Sequence, residues 1–207
     1  MAYGGSLKPA WLLDAYRHGI FPWPMGEDEP IYWWSPDPRA IIELDGLHIS
    51  RRLRRTLRSG KFTATCNQEF LSVINGCATA PDRRDGTWLT QRMIDAYHQM
   101  HELGHAHSVE VWSEGELVGG VYGLAIGGAF AAESMFHTVR DASKVALAQL
   151  VAHLTTCGFQ LLDIQQWTEH TGSMGAREIS RDQFLGRLQQ AIAQDVNFLA
   201  PLKLVAW

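Results

Sequence analysis

Two short segments place carboxylate and amide side chains inside apolar runs that are typical of β-strands. The first, ESMF, begins with Glu133, and the second, LLDIQ, contains Asp163 and Gln165. A carboxylate that loses its hydration in such a run is destabilising unless hydrogen bonds or a cation compensate, so these acids need a partner or a chemical role. We therefore take Glu133, Asp163 and Gln165 as candidate catalytic residues.

Strand periodicity predicts that Asp163 and Gln165 lie on the same face of one strand. Side chains alternate between the two faces, so residues two apart are separated by two rises, about 6.6 Å. One substrate group could then contact both side chains. In the alternative interpretation Asp163 caps a neighbouring element and Gln165 satisfies backbone groups, and for either residue alone this structural role is the simpler one.

The composition indicates one globular unit with a sizeable core. The chain has 207 residues, of which 46% are apolar and 19% charged. Its three cysteines, Cys66, Cys77 and Cys157, are widely spaced and form no CxxC pair. This pattern favours reduced thiols in the cytoplasm over a disulfide framework or a zinc ribbon. We expect a cytoplasmic monomer without a secretory signal.

A basic segment stands out in a chain whose net charge is -4. Ser50 is a plausible N-cap for a helix over residues 50–59, in which Leu53 and Leu57 would point to the core. A solvated surface helix would have the same pattern, but such a helix could also contact nucleic-acid phosphates. The candidate phosphate contacts share one side of the helix: Arg51, Arg54, Arg55 and Arg58.

An aromatic, proline-rich segment follows the first predicted helix. Residues 21–38 contain Phe21, Trp23, Tyr32, Trp33 and Trp34. Two or three of these rings are expected to fill the core, but the others could line a ligand cleft, because such clefts often have aromatic walls.

The remaining pattern alternates helices with strands and predicts an α+β fold with a mixed sheet flanked by helices. The carboxylates should meet where two neighbouring strands part, with Glu133 on one strand and Asp163 and Gln165 on the next. The predicted helices cover residues 9–18, 50–59, 67–77, 90–103 and 143–157, and one more begins at 180. The predicted strands cover residues 40–44, 62–65, 107–112, 117–126, 129–136 and 159–165, and residues 197–207 are expected to be extended.

Two other chemistries are disfavoured by local features. The segment HELGH, residues 101–105, matches the HExxH zinc pattern, but Gly104 is expected to end the helix and destroy the spacing of the two histidines. We therefore expect no metal site there. A transferase that uses acyl-CoA would need a glycine-rich turn before the helix at 143, and residues 137–145 contain no glycine.

Many segments, taken in order, resemble the bacterial leucyl/phenylalanyl-tRNA-protein transferases over nearly the whole chain. They include GGSLKPAWLLDAYRHGIFPWP, YWWSPDPRAII, DGTWLT, ESMF, ASKVAL and LLDIQQWTEHTGSMGA. The resemblance implies a GNAT-like domain over residues 37–207, preceded by a small domain over 1–36. It also implies transfer of Leu or Phe, and less well Met, from aminoacyl-tRNA to an amino-terminal Arg or Lys. The product would be recognised by N-degron proteolysis.

The resemblance also implies roles for individual residues. Asp163 and Gln165 match the family's relay pair, and Glu133 matches its acidic residue on the acceptor side. Val121 and Leu154 depart from the family, which commonly has Met and an aromatic residue there. The aminoacyl pocket would comprise Trp23, Trp88, Val121, Met135, Leu154 and Leu162.

The expected chemistry needs neither a metal nor another cofactor. An aminoacyl ester is already activated, so the enzyme has to align an amine with the carbonyl and move one proton. In this hypothesis Gln165, polarised by Asp163, accepts a hydrogen bond from the amine, and Glu133 contacts the acceptor. The alternatives left open are a GNAT-fold acyl-CoA-dependent N-acyltransferase, a zinc hydrolase and a non-catalytic RNA-binding module.

Overall fold

A computed structural model describes residues 2–80, 88–199 and 202 of the chain. Its amino-terminal part contains helix α1, Pro9–Arg17, and a small sheet with the strand order β1-β3-β2. The strands of this sheet are β1 (Ala2–Tyr3), β2 (Phe21–Pro22) and β3 (Tyr32–Trp34). The sequence indicated only an aromatic loop after α1, because strands of two or three residues are too short to show an alternating pattern.

In the part of the chain that the structure describes, the main sheet has seven strands in the order β10-β4-β9-β8-β7-β6-β5. Strands β8 and β9 pair in parallel, and the other neighbours are antiparallel. This arrangement confirms the predicted mixed sheet. The strands are β4 (Arg39–Ile42), β5 (Thr63–Cys66), β6 (Ala106–Ser113), β7 (Glu116–Ile126), β8 (Ala129–His137), β9 (Leu161–Gln165) and β10 (Arg177–Ile179).

Helices cover both faces of this sheet, as predicted. The short helix α6 and strand β10 were not expected from the sequence. The helices after α1 are α2 (Arg51–Arg58), α3 (Phe70–Ala78), α4 (Gln91–Glu102), α5 (Ala142–Cys157), α6 (Glu169–Gly172) and α7 (Arg181–Ile192).

The described residues form three buried apolar clusters, of which the smallest packs α7 against the sheet and the two largest lie on opposite faces of the sheet. One contains buried residues of α2 and α5, and the other contains buried residues of α1, α3 and α4. Val121 belongs to the first core and its neighbour Tyr122 to the second, as the alternation of side chains along β7 requires. The sheet therefore supports both layers of helices.

The predicted helix ends are confirmed where the sequence contained a capping signal. The Ser50 side chain accepts from the backbone N–H of Leu53 at the start of α2, and Ser180 forms a capping box with Gln183 at the start of α7. Helix α5 ends at Gly158, which has a φ of 85°.

The histidines of HELGH do not share a helical turn. Helix α4 ends at Glu102, and Gly104 has a φ of 80°, so His105 lies beyond the helix. This confirms the predicted helix end. The segment expected to be extended, 197–207, lies mostly outside the described residues. Among the helices that the structure describes, none is long and apolar enough to cross a membrane.

Candidate active site

The candidate catalytic residues lie where β8 and β9 separate. These strands are joined through α5 and pair only between residues 129–131 and 161–163. A β-bulge in β8 lies just beyond this point, because Tyr122 pairs with Ser134 whereas Gly123 pairs with Ala132. Glu133 is thus the extra residue of the bulge, a position that redirects a side chain and ends regular pairing.

A second bulge lies at the corresponding end of β9. Ile41 of β4 pairs with Asp163 and Ala40 pairs with Gln165, which leaves Ile164 as the extra residue. Gln165 has a φ of 63°, in the left-handed region that a residue with a Cβ rarely adopts. The regular alternation that we predicted for Asp163 and Gln165 is therefore interrupted between them.

Glu133 accepts hydrogen bonds from two other elements. Gln165 Nε2 donates to Glu133 Oε1 over 2.7 Å, and Tyr97 Oη donates to Oε2 over 3.0 Å. The hydroxyls of Tyr97 and Tyr16 lie 2.6 Å apart. Because the hydroxyl of Tyr97 donates its hydrogen bond to Glu133, the hydroxyl of Tyr16 is the donor in the pair of tyrosines. A buried hydrogen-bonded chain therefore runs from Tyr16 to the amide of Gln165.

Asp163 forms a buried ion pair with Arg39. Arg39 Nε and Nη2 lie 2.8 and 2.7 Å from the two carboxylate oxygens, and Arg39 is only 1% exposed. Asp163 Oδ1 also accepts from the backbone N–H of Gln165 at 2.9 Å. Asp163 thus holds the unusual backbone conformation of Gln165, and its observed contact is with the main chain of Gln165.

Arg39 also connects the amino-terminal part of the chain to α7. Its guanidinium carbon lies 4.9 Å from the ring centre of Phe21 and 4.4 Å from that of Phe184. Its Nη1 donates to the carbonyl of Gly19 at 3.0 Å. Two aromatic rings and three hydrogen bonds therefore fix the cation that pairs with Asp163.

Burial changes the acid–base properties of this network. It raises the pKa of Glu133 to about 7, although the hydroxyls of Tyr16 and Tyr97 oppose the shift. Burial, together with the charge of Glu133, raises the pKa of both tyrosines well above the usual range. The tyrosines therefore stay protonated, while Glu133 can exchange a proton near neutral pH.

A cavity of about 450 Å³ opens beside Glu133 and Gln165. One part of its wall is apolar, and there the rings of Trp23 and Trp88 stack at 4.9 Å, with 24° between their planes. Val121, Met135 and Ile164 add to this apolar wall. Polar side chains, including His137, Ser143 and His170, line the remainder. The cavity can therefore hold an apolar group next to ionisable and hydrogen-bonding groups.

The chain matches two family models in consecutive segments. Residues 41–189 match the leucyl/phenylalanyl-tRNA protein transferase model, and residues 5–37 match the model of the corresponding amino-terminal domain. The chain belongs to the leucyl/phenylalanyl-tRNA protein transferase family. This membership confirms the resemblance seen in the sequence.

Curated relatives of the leucyl/phenylalanyl-tRNA protein transferase family are similar over most of the chain. The leucyl/phenylalanyl-tRNA--protein transferase of Chromohalobacter salexigens is 51% identical over 95% of this chain and 77% of its own length. That of Solidesulfovibrio magneticus is 52% identical over 92% of this chain and 77% of its own length. That of Pseudomonas fluorescens is 50% identical over 94% and 85%.

Solved structures with a similar fold have much lower sequence identity. L-PGS from Bacillus licheniformis is 14% identical, with a TM-score of 0.46 over 84% of this chain and 67% of its own. A GCN5-related N-acetyltransferase from Kribbella flavida is 12% identical, with a TM-score of 0.44 over 83% and 61%. These likenesses concern the fold alone.

The predicted leucyl/phenylalanyl-tRNA protein transferase pocket is only partly assembled around the cavity. Trp23, Trp88, Val121 and Met135 line it. Leu154 and Leu162, in contrast, are fully buried in the core cluster that also contains Val121, and they are not among the lining residues. Both residues therefore belong to the apolar core and not to the lining of the cavity.

The predicted tRNA-binding residues of this transferase family member lie on α2. Arg51, Arg54, Arg55 and Arg58 line one surface hollow of about 410 Å³, and none of them lines the cavity. Leu53 is buried on the other side of the helix, as predicted. The remaining arginine of α2, Arg52, is bound to Asp141 by a 2.9 Å ion pair.

Sequence reasoning missed Arg39, Tyr16 and Tyr97. Arg39 directly precedes the apolar residues of β4, so it is the same kind of polar intrusion that marked Glu133 and Asp163. The two tyrosines occupy buried positions of α1 and α4, where an aromatic ring is ordinary core packing. Their spacing gave no signal that their hydroxyls meet.

Proposed function

We propose that the protein transfers leucine or phenylalanine, and methionine less efficiently, from aminoacyl-tRNA to the amino-terminal Arg or Lys of an acceptor protein. Membership of the family makes it an aminoacyltransferase that acts on aminoacyl-tRNA and proteins. The observation that carries the finer proposal is a cavity with a large apolar wall and a polar wall that includes Glu133 and Gln165.

In the proposed reaction the α-amine of the acceptor attacks the ester carbonyl. A C–N bond forms, the bond from the carbonyl carbon to the ribose oxygen breaks, and the proton lost by the amine ends on the ribose hydroxyl. The Gln165 side chain gives its N–H to Glu133, so its carbonyl oxygen is left to accept from the amine. Glu133, with a pKa of about 7, is suited to steady or exchange that proton.

Asp163 and Arg39 act on this reaction through geometry in our proposal. Asp163 binds the backbone N–H of Gln165 and thereby aims the amide at Glu133. Arg39 holds the Asp163 side chain in place through two hydrogen bonds. A group held in this way aligns the amine without a reorganisation during the reaction.

The apolar wall is proposed to select the aminoacyl side chain by shape. Leucine, phenylalanine and methionine are unbranched at Cβ, whereas isoleucine and valine are stiff and wide there. Trp23, Trp88, Val121 and Met135 would contact the side chain directly, and Leu154 and Leu162 would set the position of this wall from behind. A misplaced methyl group changes such binding by about 1–3 kcal/mol, so selection is expected to be moderate.

The arginine-lined side of α2 is proposed to hold the tRNA backbone. Four guanidinium groups around one hollow provide a concentrated positive charge in a chain that is acidic overall. Such contacts position a nucleic acid but do not read its sequence. Transfer would take place in the cytoplasm, with the protein as a monomer, and its products would enter N-degron proteolysis.

Transfer of a radiolabel tests this proposal directly. Leucyl-tRNA labelled in the amino acid is incubated with the protein and a peptide that begins with Arg. We expect label in the peptide, and none in a matched peptide whose amino terminus is acetylated. If the label stayed out of both peptides, while labelled acetyl-CoA modified the free one, the protein would be an acyl-CoA-dependent enzyme and the proposal would be wrong.

A further inference from the structure

An exposed tryptophan lies beside the cavity in a position that the proposed reaction does not use. Trp167 stands between Gln166 and Thr168, which both line the cavity, and it remains 46% exposed. Its indole packs against Gly172 of α6, where an added Cβ would lie 2.4 Å from Cζ2 of the ring. The absence of a Cβ at Gly172 therefore leaves the space in which this ring packs at the rim of the cavity.

Positive charge accompanies the ring. Lys144, in the first turn of α5, contacts Ser173, whose hydroxyl lies 3.5 Å from its Nζ. Ser173 directly follows Gly172, so Lys144 and Trp167 flank the same short turn of chain. Asp141, just before α5, is neutralised by Arg52 of α2. This ion pair thus links the start of α5, next to the rim, to the arginine helix.

The cavity wall next to this rim contains an unused hydrogen-bonding group. Within the described part of the chain, Nε2 of His170 is buried and has no hydrogen-bond partner. His170 lines the cavity and belongs to the same helical turn as Gly172. A stacking surface, a cation and an imidazole nitrogen therefore lie around one short turn of chain beside the cavity.

We propose that Trp167 and Lys144 form a nucleotide subsite on the rim of the cavity. Trp167 stacks on the base of a nucleotide upstream of the aminoacylated one, and Lys144 contacts its phosphate. An aromatic ring next to a cation is the usual combination for single-stranded nucleic acid. An acceptor that begins with Arg or Lys is a poorer occupant, because Lys144 repels its positive charge. This inference rests on the proposed function and adds to it the path of the tRNA end.

Two donors of different length test the subsite. One is leucyl-tRNA, and the other is leucyl-adenosine, which has the ester but no upstream nucleotide. For Trp167→Ala we expect the KM for leucyl-tRNA to rise about tenfold with kcat unchanged, since stacking on one base has about that effect. Kinetics with leucyl-adenosine should stay within about twofold of the wild type, because that donor does not reach the rim.

Three further variants separate stacking from a structural role. Trp167→Phe keeps a ring and should restore most of the affinity. Gly172→Ala keeps the tryptophan but displaces it, and should match Trp167→Ala. Trp11→Ala removes a tryptophan of α1 that is 54% exposed, and it should leave the kinetics with both donors unchanged. Lys144→Gln should lower the slope of log affinity for tRNA against log salt by about one.

The possible results are distinct. Equal loss with both donors would show that Trp167 merely supports the cavity wall, and an unchanged KM for leucyl-tRNA in Trp167→Ala would exclude stacking. A change in the KM of the peptide alone would place the acceptor at the rim, and each of these three results overturns the inference. If the wild type transferred nothing from either donor, the proposed function would fail instead. Binding of an oligonucleotide with the sequence of the tRNA end and no amino acid attached would then test the subsite. Equal affinity of this oligonucleotide for Trp167→Ala and the wild type would also overturn the inference.

Discussion

Two glutamates are buried in the same sheet, but their surroundings differ. Glu110 on β6 is 0% exposed, and its carboxylate accepts from Ser108 at 2.5 Å and from Thr65 at 2.6 Å. Glu110 itself pairs in register with Thr65 of β5 and Gly120 of β7, and the bulge between β6 and β7 lies beyond Val111. Glu133 on β8 is 9% exposed, occupies a bulge and lines the cavity. The first glutamate is enclosed by its own partners, whereas the second opens towards a space for a ligand.

The comparison shows what distinguishes a structural acid from a candidate catalytic one. Thr65 donates to Glu110 and also accepts from the indole of Trp112. The hydrogen bonds around Glu110 therefore come from residues of β6 and of its neighbouring strand β5. The bulge at Glu133 ends such local pairing, and its donors come from β9 and α4 instead. Burial in a strand is shared by both residues, so it does not mark a site. Glu133 is distinguished by its position as the extra residue of a bulge and by the cavity that it lines.

Removing the side-chain groups of Gln165 and Glu133, where β8 and β9 separate, should have the largest effect on turnover. We expect Gln165→Ala and Glu133→Gln to lower kcat for leucyl transfer by about 10²- to 10⁴-fold, the usual contribution of general acid–base assistance. Glu110→Gln is the matched control, which should reduce stability yet leave the kcat of the folded protein within about threefold of wild type. Near-normal turnover in Gln165→Ala at saturating substrate would contradict the proposed mechanism.

The ion pair beneath Gln165 should dominate stability. Arg39→Met leaves Asp163 buried without its cation. We therefore expect the free energy of unfolding, measured in urea, to fall by about 3–5 kcal/mol. The double variant Arg39→Met with Asp163→Leu removes both charges and should recover most of that loss. Because Gln165 would still lack its backbone anchor, turnover should not recover with the stability. Joint recovery of both properties would remove Asp163 from the site.

The raised pKa of Glu133 predicts a pH dependence of stability. Between the ordinary value of 4.5 and about 7, the folded protein keeps a proton that the unfolded chain has lost. Stability from this group should therefore be complete below pH 4.5 and fall as the pH rises towards 7, by about 3 kcal/mol in total. Urea unfolding across this range measures the slope, and Glu133→Gln should lack that contribution. A slope that survives in the variant would assign it to another group.

The arginine face of α2 should give the smallest effect, and one confined to tRNA. Arg51→Glu with Arg54→Glu should raise the apparent KM for leucyl-tRNA and weaken its salt dependence, because fewer counterions are released. Arg52→Gln is a control on the same helix, since its guanidinium already pairs with Asp141. An unchanged KM in the double variant would remove α2 from the tRNA-binding surface.

Most of the architecture could be predicted because its signals are local. Ser50, Thr90 and Ser180 mark helix starts through their own hydrogen bonds, and Gly158 ends α5 in a conformation that suits glycine. The short strands β1, β2, β3 and β10 were missed, because pairing with a distant segment rather than a pattern of their own defines them.

The site was predictable only in part, for a related reason. An acid inside an apolar run is visible in the sequence, so Glu133 and Asp163 could be selected. A bulge is not visible, because it depends on how two strands pair, and this is why the alternation around Asp163 and Gln165 was overestimated. Arg39 could have been found by asking which cation compensates Asp163. The pocket roles of Leu154 and Leu162 came from the resemblance, which carries no information on which side of the wall a residue lies.

The position of Arg39 has a consequence for shortening the protein. The carbonyl of Gly19 and the ring of Phe21 belong to the first two dozen residues, yet they enclose a cation on β4, the second strand from one edge of the main sheet. Deleting this leading segment would admit water to the ion pair and loosen the strand that carries Gln165. A minimal catalytic fragment would therefore have to include it, and attachment of a fusion partner is better designed around the surface than by trimming this end.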